Sequence, residues 1–364
     1  MLRYREPTPM SFYDRVADLP LSVEESSFER RERETSSGFA RATTVFSLAG
    51  DGHVGRGEDV TYETDEHDAL AEANPTWNLA GEYTLDSFSD ALDERDLFVG
   101  REPERADFQY YRRWGLESAA LDLALRQAET DLGSVLDRRY NPVRFVISTR
   151  LGEPPTTERV ERWLEIQPDA EFKLDPTPDW TDDLIESLAA TGAVRILDLK
   201  GDYEGTAVDN PVDRENYRRV LDGFPEGVIE DPRLTEETRD LFDGEEGRVS
   251  WDHPITGVAS IESLPFEPRW LNIKPSRFGT VESLLDSIEY ALERDIQCYG
   301  GGQFELDVGR EHIQTMASLF YPDGPNDVAP GGYNAPEPQT GLPESPLVAP
   351  AAPAGLGFVD EDEP

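Results

Sequence analysis

Five short runs, 171-EFKLD-175, 194-VRILDLK-200, 227-GVIED-231, 248-RVSWD-252 and 270-WLNIK-274, carry the reading that decides the fold. Each is apolar or β-branched through its middle and reaches a charged residue at its end, the pattern of a buried parallel strand that surfaces at its C-terminal end. Similar strand candidates stand at Val143–Ser148 and Ile296–Gly300, and a last one lies near Asp327–Ala329. Amphipathic segments fill the gaps, among them Thr157–Ile166, Trp180–Ala190 and Val281–Arg294. Seven or eight such strand–helix units at intervals of roughly 20–30 residues match a parallel β/α barrel of ~250 residues. An open, doubly wound sheet is the alternative, and it would call for fewer strands and a glycine fingerprint.

Outward from this core, residues 1–140 read as an α+β domain. Ala40–Ala49 is a strand candidate, Gly50-Asp51-Gly52 a turn and His53–Glu58 the return strand, so a hairpin is expected. Leu116–Leu136 repeats apolar residues at helical spacing and predicts one long amphipathic helix. The barrel is expected over residues 141–334. From residue 335 to 364 the chain is rich in Pro, Ala and Gly and closes on Asp-Glu-Asp-Glu-Pro, which predicts an extended or mobile tail that adds no core.

Composition narrows the partners. The formal charge is −42, from 76 acidic against 34 basic residues, and only three of the basic residues are lysines: Lys173, Lys200 and Lys274. Exposed lysine is ordinarily tolerated freely, so a surface that has shed it while gaining acid points to a salt-adapted, cytoplasmic protein. Nucleic acid is disfavoured as a partner because no basic stripe is present to release counterions. The single cysteine, Cys298, excludes an internal disulfide and a thiolate metal cluster. No run approaches the ~18 apolar residues of a membrane span, and no apolar signal core opens the chain. The expected partner is a small molecule, and assembly into a homo-oligomer is compatible with the sequence.

Lys173, Asp198, Glu230, Asp252 and Lys274 follow one another at gaps of 25, 32, 22 and 22 residues, each about one β/α unit. That spacing gathers their side chains at the C-terminal rim, where such barrels place their active sites. Three carboxylates meeting there repel one another unless a cation joins them, and an all-oxygen set suits Mg²⁺, with Mn²⁺ as a substitute. Two ammonium groups facing each other across the metal could take a proton from one face of a carbon and return it to the other. The plainer alternative is that each carboxylate caps the helix after its strand, with the lysines in rim ion pairs.

These strand ends, with the GDGHVGRGE hairpin at 50–58, the ESAALDLAL helix at 117–125 and GGQFELDVGR at 301–310, resemble the enolase superfamily, in the branch of muconate-lactonizing enzymes, o-succinylbenzoate synthases and N-acylamino acid racemases. The resemblance implies a modified (β/α)7β barrel behind an N-terminal capping domain. It also implies Mg²⁺ on Asp198, Glu230 and Asp252, acid/base lysines at Lys173 and Lys274, and an enediolate intermediate. The expected activity is abstraction of the α-proton of a carboxylate by a lyase of the o-succinylbenzoate synthase kind, or by a racemase, epimerase or cycloisomerase. A non-catalytic binding protein on the same scaffold is the rival.

Two departures stand out. The second-strand Lys-x-Lys of that branch is replaced by Glu171-Phe172-Lys173 or Lys173-Leu174-Asp175, and the polar residue two after Asp198 is Lys200. Strand alternation turns Asp198 and Lys200 to the same face, so Lys200 either replaces the missing lysine or weakens the metal. Asp231 and His253 follow proposed ligands and are read as support or packing. Gly300-Gly301-Gly302 offers a close backbone approach, an anion cradle or a tight turn, and Glu305 and Arg310 are read as structural. His53, His67 and His312 show no ligand spacing and are read as surface residues.

Overall fold

A computed structural model describes residues 10–35, 40–201, 203 and 210–359. Its N-terminal part runs α1 (Phe12–Ala17), β1 (Pro20–Val23), β2 (Glu25–Glu34), β3 (Ala40–Gly50), β4 (His53–Asp59), α2 (Thr64–Ala73), β5 (Gly81–Thr84), α3 (Leu85–Asp93), α4 (Phe108–Gln127) and α5 (Leu132–Leu136). β2, β3 and β4 form an antiparallel sheet, and β1 pairs with β5. Asp51 and Gly52, both at positive φ (49° and 76°), close the β3–β4 hairpin, as its sequence predicts. The other hairpin glycines serve packing. A Cβ on Gly57 would stand 2.1 Å from the Gly115 carbonyl oxygen and one on Gly55 2.3 Å from that of Ala119, so α4 lies directly on β4 because both lack side chains.

The expected single helix over 116–136 is two helices. α4 stops at Gln127, Glu129 turns left-handed (φ 52°), and Asp131 starts α5 by accepting the Ser134 N–H at 2.9 Å. Apolar residues continue on both sides of this break because both helices are buried, α4 all round from Trp114 to Leu125 and α5 through Leu132 and Leu136, so the pattern alone does not reveal it.

The second part runs β6 (Ile147–Thr149), α6 (Glu158–Ile166), β7 (Phe172–Leu174), α7 (Asp182–Ala190), β8 (Val194–Asp198), α8 (Arg214–Gly223), β9 (Val228–Glu230), β10 (Val249–Trp251), α9 (Val258–Glu262), β11 (Trp270–Ile273), α10 (Pro275–Phe278), α11 (Val281–Glu293), β12 (Gln297–Gly300) and α12 (Gly309–Phe320). The seven strands are parallel and neighbour one another in chain order from β6 to β12. A doubly wound sheet would reverse that order at a switch point. The eighth position is filled by two residues rather than a strand: Asp327 bridges to Gly301 after β12 and Asn326 to Phe145 before β6, closing the ring. The architecture is an α/β modified TIM barrel behind an α+β cap. Among the described residues no helix is long and apolar enough to cross a membrane.

Cap and barrel share one hydrophobic cluster and a set of polar clamps. The Glu58 carboxylate of β4 accepts the N–H groups of Leu306 (2.7 Å), Asp307 (3.1 Å) and Gly309 (2.9 Å), tying the hairpin to the start of α12. Arg41 of β3, wholly buried, donates to the Gln303 carbonyl at 3.2 Å. The segment 301–310 is therefore where the barrel docks on its cap.

The expectation of a tail without core is corrected for the part described. Leu347, Leu356 and Phe358 are buried in the main cluster. Leu347 exchanges backbone hydrogen bonds with Val143, and Gly355 does so with Thr130 and Leu132 in the stretch between α4 and α5. Prolines stiffen this strap and its few apolar residues are spaced to reach the body, which composition averages conceal. The acidic end at 360–364 lies outside the described residues.

Candidate active site at the barrel rim

Strand alternation sends Ile196 and Val228 into the barrel, where they cluster with Val146 and Tyr299. Two residues further along the same strands stand Asp198 and Glu230, which face each other across the β8–β9 pair. Lys173 reaches their level because the β7–β8 register shifts between Phe172 and Lys173. Its ammonium lies 2.6 Å from Glu230 Oε1 and 3.3 Å from Asp198 Oδ2. Lys274, at the end of β11, lies 2.7 Å from Asp252 Oδ2. The five residues singled out by spacing are thus one buried cluster, with Asp198, Glu230 and Asp252 no more than 1% exposed.

Lys200 joins them by a different route from strand alternation. β8 ends at Asp198, and Lys200 is left-handed at φ 50°. The turn folds it back on its own strand, so that its N–H donates to Asp198 Oδ1 at 3.1 Å and its Nζ to Oδ2 at 2.5 Å. Nζ is also 3.5 Å from Asp175.

Four contributors were not anticipated. Arg277 donates to Asp252 Oδ1 at 3.0 Å, and Tyr203 donates to Asp252 Oδ2 at 2.9 Å. Asn272 donates to Glu230 Oε1 at 3.1 Å and Tyr299 to Oε2 at 2.5 Å. Asn272 had a readable signal, since it precedes Lys274 by two on one strand. Tyr299 lies next to last on its strand, and Arg277 sits three past Lys274 on a four-residue helix. Tyr203 stands outside every strand and helix and had none. Arg277 also meets the cap, 3.2 Å from the hydroxyl of Tyr111 on α4.

Asp231 and His253 play supporting parts. Asp231 turns left-handed (φ 44°) and accepts the N–H groups of Asp252 (2.8 Å) and His253 (2.9 Å), fixing the end of β10. His253 packs edge-on against Tyr203 at 4.8 Å, and burial beside Arg277 lowers its pKa to about 4. Gly301 provides a close approach: a Cβ there would stand 2.3 Å from Asn272 Oδ1 and 2.7 Å from Lys274 Cε. Arg310 pairs with Glu305 at 3.1 Å. Two of the histidines expected at the surface are buried. His67 bridges Thr44 and the Thr61 carbonyl, each at 2.8 Å, and His312 lies inside α12's packed face, where desolvation lowers its pKa to about 3.

The electrostatics keep the cluster charged. Burial alone would lower the Lys173 ammonium, but Glu230 and Asp198 hold it well above the usual lysine value. Burial pulls the Glu230 carboxyl upward, yet with an ammonium at 2.6 Å and two further donors on its oxygens the proton of this pair belongs to Lys173. Burial would likewise raise Asp198 and Asp252. Lys200 and Lys173 instead bring Asp198 to about 2, and Arg277 and Lys274 hold Asp252 well below the carboxylate range. Lys200 is raised by Asp175 and Asp198 against its own burial.

A divalent ion does not fit this arrangement. Mg²⁺ asks for near-octahedral oxygen ligands at about 2.0–2.1 Å, and each oxygen of Asp198, Glu230 and Asp252 already accepts a hydrogen bond from the protein. Among the described residues no group of three His, Cys, Asp or Glu side chains is placed to hold a metal. The expectation of one Mg²⁺ joining the three acids is therefore not met by the side chains as they stand, because lysine and arginine reach the same oxygens.

The same architecture occurs in solved structures. A dipeptide epimerase from Methylococcus capsulatus, solved with a Mg ion, superposes with a TM-score of 0.64 at 15% identity, over 93% of this chain and 100% of that one. A muconate cycloisomerase from Pseudomonas fluorescens gives 0.62 at 15% identity, over 85% and 87%. An enolase-superfamily member from Listeria innocua gives 0.61 at 17% identity, over 85% and 86%. Identities this low establish likeness of fold, that of the enolase superfamily. No curated protein matches the sequence. Family models match at residues 14–135, described as the N-terminal domain of a domain of unknown function, DUF8230, and at 139–335, described as its C-terminal domain. On these two matches the chain belongs to the DUF8230 family, built on the enolase-superfamily fold.

Proposed function

We propose that the barrel rim binds a small carboxylate and moves the proton on the carbon beside that carboxylate, as a lyase of the o-succinylbenzoate synthase kind or as a racemase or epimerase. The observation that carries this reading is that all three lysines of a 364-residue chain stand at one rim of the barrel, at the ends of β7, β8 and β11, among buried acids. Lys173 and Lys200, held protonated by their partners, present fixed positive charge to a substrate carboxylate and to the enediolate charge that develops on it. Lys274, which touches a single carboxylate, is the proton carrier. Mg²⁺ or Mn²⁺, implied by the resemblance, would fall on Asp198, Glu230 and Asp252, but no step is assigned to it because those oxygens face protein donors. The Tyr111–Arg277 contact brings the cap to the rim, where substrate would be enclosed.

The second reading is a small-molecule binding protein without turnover. It is favoured by the pairing of each of the three lysines with an acid. The deciding experiment is α-proton exchange in D₂O, followed by NMR over a panel of acidic metabolites. The catalytic reading expects exchange with at least one of them. Lys274→Ala should abolish it with the fold intact, and Lys274→Arg should not restore it, since a guanidinium with a pKa above ~12 does not give up its proton. Exchange that persists in Lys274→Ala would refute the assignment. A ligand that raises the melting temperature without exchanging its proton would favour the binding reading.

A further inference from the structure

We propose that Lys173 is the resident cation of this rim, and that the site, assisted by Lys200 and Arg277, takes no divalent ion. Three acids at consecutive strand ends need a positive charge between them. The ammonium of Lys173 supplies it, bridging Glu230 at 2.6 Å and Asp198 at 3.3 Å, with Asp327 at 3.8 Å beyond. The other carboxylate oxygens are closed in turn. Lys200 grips Asp198 through both its backbone N–H and its ammonium, in a left-handed conformation that lysine seldom adopts and that this double contact requires. Arg277 and Lys274 cover the two oxygens of Asp252. Tyr299 and Asn272 complete Glu230.

Admitting a divalent ion would set two charges of like sign beside four cations. It would also take Glu230 and Asp198 away from Lys173, 2% exposed, leaving that ammonium only Asp327 at 3.8 Å and almost no solvent. This inference is independent of the proton-transfer reading: a rim with or without a divalent ion can bind or turn over a carboxylate, so the metal measurement and the proton-exchange measurement fail separately.

The test uses the full chain and Mn²⁺ as the probe, in molar KCl to suppress loose binding to the acidic surface. Electron paramagnetic resonance reads free Mn²⁺, and melting temperature is measured with EDTA and with millimolar Mg²⁺. The expected result is no stoichiometric Mn²⁺ binding and a melting temperature unmoved by either addition. Weak binding that Asp198→Asn leaves unchanged belongs to the surface and agrees with this. About one tightly held Mn²⁺ per chain, lost in Asp198→Asn, would overturn the inference. The double variant Lys173→Met/Lys200→Asn should gain one Mn²⁺ and melt higher with it, and a folded double variant that still binds none would also count against the proposal. If the double variant does not fold, the wild-type measurement decides by itself.

Discussion

Tyr299 shows how tightly single side chains define the rim. Its hydroxyl lies 2.5 Å from Glu230 Oε2 and 2.9 Å from Ser250 Oγ; with one proton to give, it donates to the carboxylate and accepts from the serine. Tyr299→Phe keeps the ring and removes the donor, leaving a fully buried carboxylate oxygen without that hydrogen bond. A destabilisation of ~1–3 kcal/mol is expected, measured by chemical denaturation, whereas a change near zero would mean that Glu230 is satisfied elsewhere. At this scale the sequence revealed which acids and lysines gather, because one β/α unit separates each from the next. It did not reveal their pairing. Spacing places Cα atoms, but which ammonium reaches which oxygen depends on a register shift at Lys173 and a left-handed turn at Lys200, and neither leaves a mark in apolar periodicity.

Among the elements, the hairpin and the strand–helix alternation were legible because turn glycines and buried strands have strong local signatures. The break between α4 and α5 was hidden because buried apolar residues continue on both sides of it, and the strap after residue 335 by its polar and proline-rich average. Leu356, at 0% exposure, tests the strap. Its N–H donates to Asp122 at 2.9 Å, and its side chain belongs to the main core. Leu356→Ala should cost ~2–5 kcal/mol, as for other buried leucines. A denaturation midpoint equal to wild type would show that the strap rests on the body without supporting it.

For the whole molecule, a charge of −42 makes repulsion the long-range force. At 0.01 M salt the Debye length is about 30 Å, comparable with a domain, and at 1 M it falls to about 3 Å. The melting temperature should therefore rise steeply from dilute buffer to molar KCl; a flat or falling trend would contradict the salt-adapted reading. The local ion pairs should respond less, since Asp252 and Lys274 are closed off from the solution that carries the screening ions.

The burial of the lysines also has a practical side. With Lys173 and Lys274 enclosed and Lys200 drawn down onto Asp198, a reagent that modifies lysine amines meets almost none on the native surface. Lysine labelling of this protein therefore reports the opening of the barrel mouth rather than the outer surface, and tryptic cleavage of the folded chain is left to its arginines.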